Sequence, residues 1–170
     1  MADQTGPSNQ IVSILSALHG GSLEMRDNAI VELKALTRSE AISGLIPLLS
    51  DPQPRQRAFA AEAMILLDAR QTLEFVLPLL KDTDPDVRGT ICFWLTEYGD
   101  QRAVEPLVQV LLNDPDVNVR TGAASALGAS RDTRAVAALV KARDQDFEVD
   151  RQGYIVSSVA KDSLRDMGIE

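Results

Sequence analysis

The chain has 170 residues with 17 basic and 25 acidic side chains, a net charge of −8, one Cys, one His and seven aromatics. Residues 1–85 hold 7 basic and 11 acidic side chains and residues 86–170 hold 10 and 14, so each half carries −4 and neither is the basic domain that nucleic acid requires. A single Cys and a single His exclude a disulfide framework, a Cys-based zinc cluster and His-rich metal sites, and no apolar run is long enough to span a membrane.

The opening segment, residues 1–8, has neither a basic patch nor an apolar run. It reads as a disordered tail rather than a signal peptide, and a cytoplasmic location is the expectation. From residue 9 onward the chain repeats. Arg recurs at 26, 57, 88, 120 and 151, at spacings of 31, 31, 32 and 31. Each Arg opens an apolar helical pattern. The positions three, four and seven residues later read Ala29/Ile30/Leu33, Ala60/Ala61/Met64, Ile91/Cys92/Leu95 and Ala123/Ala124/Leu127. That spacing places them on one helix face.

A second helix precedes each of these and ends on a repeated pattern: Leu48-Leu49-Ser50-Asp51, Leu79-Leu80-Lys81-Asp82 and Leu111-Leu112-Asn113-Asp114. Acidic turns with proline link the two helices: Asp51-Pro52-Gln53-Pro54, Asp84-Pro85 and Asp114-Pro115. Asp caps a helix start and Pro suits the first helical position. The links between units also repeat, as Asp100-Gln101-Arg102-Ala103-Val104 and Asp132-Thr133-Arg134-Ala135-Val136. The reading is a single all-α domain over 9–170, a right-handed α-solenoid of about five antiparallel helix pairs at 9–37, 39–68, 70–98, 100–130 and 132–167. One such pair cannot bury its own apolar faces, and stacking neighbours supplies the core.

The end units depart from the pattern. In the first, Gly20-Gly21-Ser22 replaces the acidic turn, and Glu32 and Lys34 stand where the second unit has Ala63 and Ile65, as suits a capping repeat with a wet outer face. In the last, the register can be taken from Arg151 or from Val156, the latter with about six extra residues near 146–153. One long closing helix is favoured. Charged residues near both ends (Glu32; Lys161, Asp162, Arg165, Asp166) argue for a capped monomer.

Val87-Arg88 with Ala103-Val104-Glu105-Pro106-Leu107, and Val119-Arg120-Thr121-Gly122-Ala123-Ala124-Ser125-Ala126-Leu127-Gly128, resemble HEAT repeats, in particular the short kind also found in phycobilisome lyases. The resemblance covers nearly the whole chain and is strongest over 82–141. It implies a HEAT-like superhelix with the first helix of each pair on the convex side and the second lining the concave side. It also implies a structural ladder between neighbouring repeats, here mapped onto Asp51, Asp82 and Asp114 and onto Arg57, Arg88 and Arg120.

In a solenoid, positions one, two, five and nine after each Arg face the groove. They read Ala58, Phe59, Glu62 and Leu66, then Gly89, Thr90, Phe93 and Glu97, then Thr121, Gly122, Ser125 and Ala129. The candidate partner-binding residues are Phe59, Glu62, Leu66, Thr90, Phe93 and Glu97, which centre the expected groove on the second and third units. Phe59 and Phe93 are expected exposed; Phe75, Trp94 and Tyr98 are expected in the core. The small face of the fourth unit suits close helix packing or the approach of a partner backbone.

Asp82–Asp86 and Asp144–Asp150 begin like calcium loops but carry Val87 and Val149 where Gly is required and Phe93 and Ile155 where Glu is required. They read instead as helix-start turns that give one acidic edge. Cys92 falls in the buried phase, and His19 sits at an ordinary helix end. There is no phosphate loop, nucleophile elbow or metal-binding helix motif, and Glu62 with Glu97 is a weak basis for acid–base chemistry. The function expected is a non-catalytic scaffold or adaptor with no cofactor, binding a protein or peptide with basic residues. The resemblance to phycobilisome-lyase repeats offers a bilin-handling subunit as the alternative. A HEAT-like DNA glycosylase is disfavoured by a groove holding Glu62 and Glu97 and no mapped Lys or Arg.

Overall fold

A computed structural model describes residues 7–169 apart from 21, 23, 26, 27, 30 and 33–35, and without the side chains of 7–9, 15 and 18–20. Arg26, the first of the periodic arginines, and Lys34 of the expected cap lie outside the described residues, as does the expected tail up to residue 6. The helix that follows begins at Pro7, inside the span expected to be a tail. Contacts divide the chain into two compact units, 1–76 and 77–170.

The first unit contains α1 (Pro7–Gly20), α2 (Arg38–Leu45) and α3 (Pro54–Val76). Helix α2 starts with a capping box: the Glu40 backbone N–H donates to the Thr37 hydroxyl, and the Thr37 N–H donates to the Glu40 carboxylate. The Thr37 hydroxyl, donating to the Glu40 carboxylate at 2.6 Å, and then the Thr37 N–H hold that carboxyl below its ordinary pKa. Helix α3 is broken at Asp68, whose backbone is extended (φ −170°, ψ 90°). The break is built rather than accidental. Asp68 Oδ1 accepts from the N–H groups of Arg70 and Gln71, which restarts the helix, and the Thr72 hydroxyl reaches the carbonyls of Met64 and Asp68. Arg38 ties the start of α2 to this break through a 2.8 Å ion pair with Asp68. Ile11, Ile14, Ala41, Leu45, Ala60, Ala61 and Met64 are fully buried within the unit.

The second unit contains α4 (Pro85–Tyr98), α5 (Val104–Asn113), α6 (Val117–Ser130), α7 (Val136–Gln145) and α8 (Val156–Asp166). They stack in two layers. Helices α4, α6 and α8 lie side by side in one layer, with α5 against α6 and α7 against α8 in the other. Small residues permit this closeness: Ala123, Ala124 and Ala126 of α6 are all fully buried. Among the described residues the only strand-like pairing is an isolated antiparallel bridge between Val149 and Ile155.

The acidic turns work as a two-step device. In each, the first Asp accepts from the N–H two residues on: Asp51 from Gln53, Asp82 from Asp84 and Asp114 from Asp116. In the turns after Asp82 and Asp114 the helix cap is then the second acid. Asp84 caps α4 ahead of Pro85, and Asp116 caps α6 by accepting from the N–H groups of Asn118 and Val119. Pro115 is therefore a turn residue and not the first residue of a helix; the same holds for Pro52, with Pro54 opening α3. The links between pairs have their own device. Asp100 and Asp132 cap one-turn 3-10 helices, and each chelates the guanidinium two residues on, Arg102 and Arg134.

The last repeat corrects the expected register. The closing helix starts at Val156, and Arg151 lies in the turn before it. Residues 146–155 fold into a short hairpin-like arm, so no long closing helix runs through them. Asp150 is buried at the tip, accepting from the N–H groups of Gln152 and Tyr154 and donating its own N–H to the Tyr154 carbonyl. Gly153 completes the turn at φ +89°. The Ser157 backbone N–H donates to the Asp146 carbonyl at 2.8 Å.

Candidate functional site

The ladder comes first because it sets the stack. Arg88 grips Asp114 with two parallel bonds, Nε to Oδ2 at 2.6 Å and Nη2 to Oδ1 at 2.8 Å, while Nη1 donates to the Asp82 carbonyl. Arg120 repeats this one unit on, with Nε to Asp146 Oδ2 at 2.7 Å, Nη2 to Glu148 at 3.1 Å and Nη1 to the Asp114 carbonyl. In both cases the acid lies 26 residues after the Arg. Arg57 makes the same own-turn bond, Nη1 to the Asp51 carbonyl at 2.8 Å. The Asp114 hydrogen bond raises the Arg88 pKa against its burial, and Asp146 does the same for Arg120. Asp146 is thus a ladder residue that the sequence reading left inside an acidic run. Its place, 32 residues after Asp114, was the available signal.

The candidate partner-binding residues divide between the units. In the first, on α3, Phe59 and Glu62 are half-buried and Leu66 is 50 % exposed. Phe59 does not stand open as expected: the Arg55 guanidinium carbon lies 5.1 Å from its ring centroid. In the second, on α4, Phe93 is 58 % exposed, Glu97 is exposed, and Thr90 is half-buried with its hydroxyl donating to the Asp86 carbonyl. Phe75 and Trp94 are half-buried. Tyr98, expected in the core, is 47 % exposed at the last position of α4, its ring 6.3 Å from that of Trp94. Phe93 packs edge-on against Trp94, with centroids 5.3 Å apart.

Thr90, Phe93 and Glu97 come together on a groove of about 530 Å³ between α4 and α6. Its floor is made of small residues: Gly89 and Thr90 from α4, Thr121, Gly122 and Ser125 from α6. The far wall is the arm before α8, with Asp150, Arg151, Gln152 and Tyr154. Sequence reasoning passed over Tyr154, which is 60 % exposed and faces the same space as Phe93. A second hollow of about 450 Å³ runs on between α6 and α8, sharing Thr96, Ser125 and Tyr154 with the first.

Carboxylates dominate the rim. Asp86, Glu97, Asp116 and Asp150 line the groove beside one cation, Arg151. Burial raises the Asp116 pKa, but the Asn118 side chain and the N–H groups of Asn118 and Val119 overcome it, so the group stays below its ordinary value. Cys92 lies beneath the floor, fully buried, and burial pushes its thiol up to about 12, which leaves no thiolate for nucleophilic chemistry. Among the described residues no group of three or more His, Cys, Asp or Glu side chains is placed to hold a metal ion. Among them, too, no helix is long and apolar enough to cross a membrane.

A family model described as HEAT repeats matches residues 73–157, half of the chain. No curated protein matches it.

Proposed function

The chain belongs to the HEAT-repeat family, and from that premise we propose that it is a non-catalytic scaffold that binds a partner protein along the α4–α6 groove. The observation that carries this reading is Phe93. A ring more than half exposed, next to a floor of Gly89, Thr90 and Ser125 and opposite the exposed Tyr154, is an anchor looking for a partner surface. The acidic rim selects a partner segment with basic residues and repels phosphate backbones. The buried, protonated Cys92 offers no nucleophile to the groove.

The test is affinity capture from the source cell with the full chain, compared with Phe93→Ala plus Tyr154→Ala at unchanged helicity by circular dichroism. Loss of one defined partner supports the groove. Capture that is unchanged in this double variant and lost in Phe59→Ala plus Leu66→Ala would move the site to α3 of the first unit.

A further inference from the structure

The arm before α8 brings one of the chain's own cations into the groove. The Arg151 N–H donates to Asn118 Oδ1 at 2.8 Å, and its guanidinium Nη1 lies 3.4 Å from Asp86 Oδ1, 65 residues away in sequence. The tip that carries it is held by Asp150, so the arm is positioned whether or not the guanidinium is engaged. The pair itself is loose: the Arg151 side chain is 68 % exposed and that of Asp86 81 %. Pairs of this kind contribute little and exchange readily with solvent or a competitor.

Resting on the groove reading above, we propose that Arg151 is an internal stand-in for the ligand, and that the groove takes a partner segment whose arginine side chain replaces it against Asp86. Charge complementarity supports this occupant. Four carboxylates line the space beside a single cation, and two of the four, Asp116 and Asp150, are already engaged with backbone N–H groups. Asp86 and Glu97 are the exposed acids left facing the opening. Phe93 and Tyr154 supply exposed ring faces, on which a planar guanidinium stacks better than an ammonium. Gly89 leaves open space where a side chain would stand, so the segment's backbone can come close to α4. The arm therefore sets specificity: it rewards a partner that brings its own cation, because only such a partner restores the ion pair it displaces, and the ring faces favour arginine as that cation.

The probe is N-acetyl-arginine amide, titrated into the full ¹⁵N-labelled chain at low salt. Shifts should concentrate on amides of the groove, including Gly89, Asn118 and Gly122. Arg151→Gln should tighten binding of the probe by about two- to fivefold, the range of one exposed ion pair, and Asp86→Asn should weaken it by a similar factor. Arg143→Gln is the control: it removes the same charge from α7, where Arg143 pairs with its neighbour Asp144, and should change nothing. The proposal is overturned if Arg151→Gln has no effect, or if Arg143→Gln matches it. A partner lost from Phe93→Ala plus Tyr154→Ala but held equally by wild type, Arg151→Gln and Asp86→Asn keeps the scaffold and discards the arginine. A groove-specific arginine site with no partner depending on the two rings does the reverse.

Discussion

The two helix junctions of the second unit, α4 against α6 and α6 against α8, solve the same packing problem differently. At the first, Arg88 and Asp114 form a two-bond pair with side chains only 9 % and 6 % exposed, and Gly122 faces Cys92. At the second the rung is Arg120 with Asp146, whose side chain is 18 % exposed, and Glu148 shares the same guanidinium; the start of α8 offers no arginine for a further rung. Contact is also closer there: Gly128 lies directly on Ser163, whose hydroxyl donates to the Ala124 carbonyl at 3.0 Å. The last acid, Asp146, turns the chain into an arm rather than straight into a helix. The contrast shows that a repeat can end its charge ladder without exposing the last interface, and that the residues freed by the change can build a wall for a groove.

Removing the ladder acids should separate the junctions most clearly. Asp114→Ala leaves Arg88 buried without its carboxylate and should cost about 3 kcal/mol. Asp146→Ala should cost about 1 kcal/mol, because Glu148 still meets Arg120 at 3.1 Å from a position with a side chain 70 % exposed. Urea unfolding of the full chain, followed by circular dichroism, measures both; equal losses would erase the distinction.

Three glycines grade the contacts more finely. A Cβ at Gly128 would meet Ser163 Cβ and Oγ at 2.6 Å and the Ser163 Cα at 3.0 Å, so Gly128→Ala should destabilise by about 2 kcal/mol. At Gly122 it would meet only Cys92 Cβ at 3.0 Å, and Gly122→Ala should come out near zero as helix propensity offsets the strain. At Gly89 it would meet nothing within 4 Å, and Gly89→Ala should stabilise by up to about 1 kcal/mol. The order of the three melting midpoints is the readout, and a different order breaks the packing account.

The smallest effect belongs to the links. The Arg134 guanidinium, and then its backbone N–H, hold the Asp132 carboxyl at about 2. A carboxyl depressed in the folded state stabilises above its ordinary pKa, and that contribution fades as pH falls from about 4 to about 2. Carboxyl NMR should place the wild-type midpoint near 2 and move it upward in Arg134→Gln, though not fully back, since the backbone N–H remains.

Sequence periodicity carried far here because the repeat reports one physical need many times. Ala123, Ala124 and Leu127 recur in phase with Ile91, Cys92 and Leu95, and all six are buried. Arg88 and Arg120 were legible as ladder residues, and Phe93 as an exposed ring. Arg151 was misleading for the same reason: it stands in phase in the sequence, but the insertion before Val156 takes it off the helix. Tyr98 misled in the other direction: an aromatic expected in the core, it stands 47 % exposed at the end of α4.

What the amino-acid order determined by itself is local: where the paired helices of the regular repeats run, which turns start them and which faces must be buried, since each follows from spacing along a few turns. What only the tertiary structure decided is which distant groups meet. It brought Glu148 to Arg120 beside Asp146, set Gly128 on Ser163, and carried Tyr154 and Arg151 on an arm to the groove of α4. Those pairings depend on where whole helices stack, and no local pattern specifies the distance between residues on different helices.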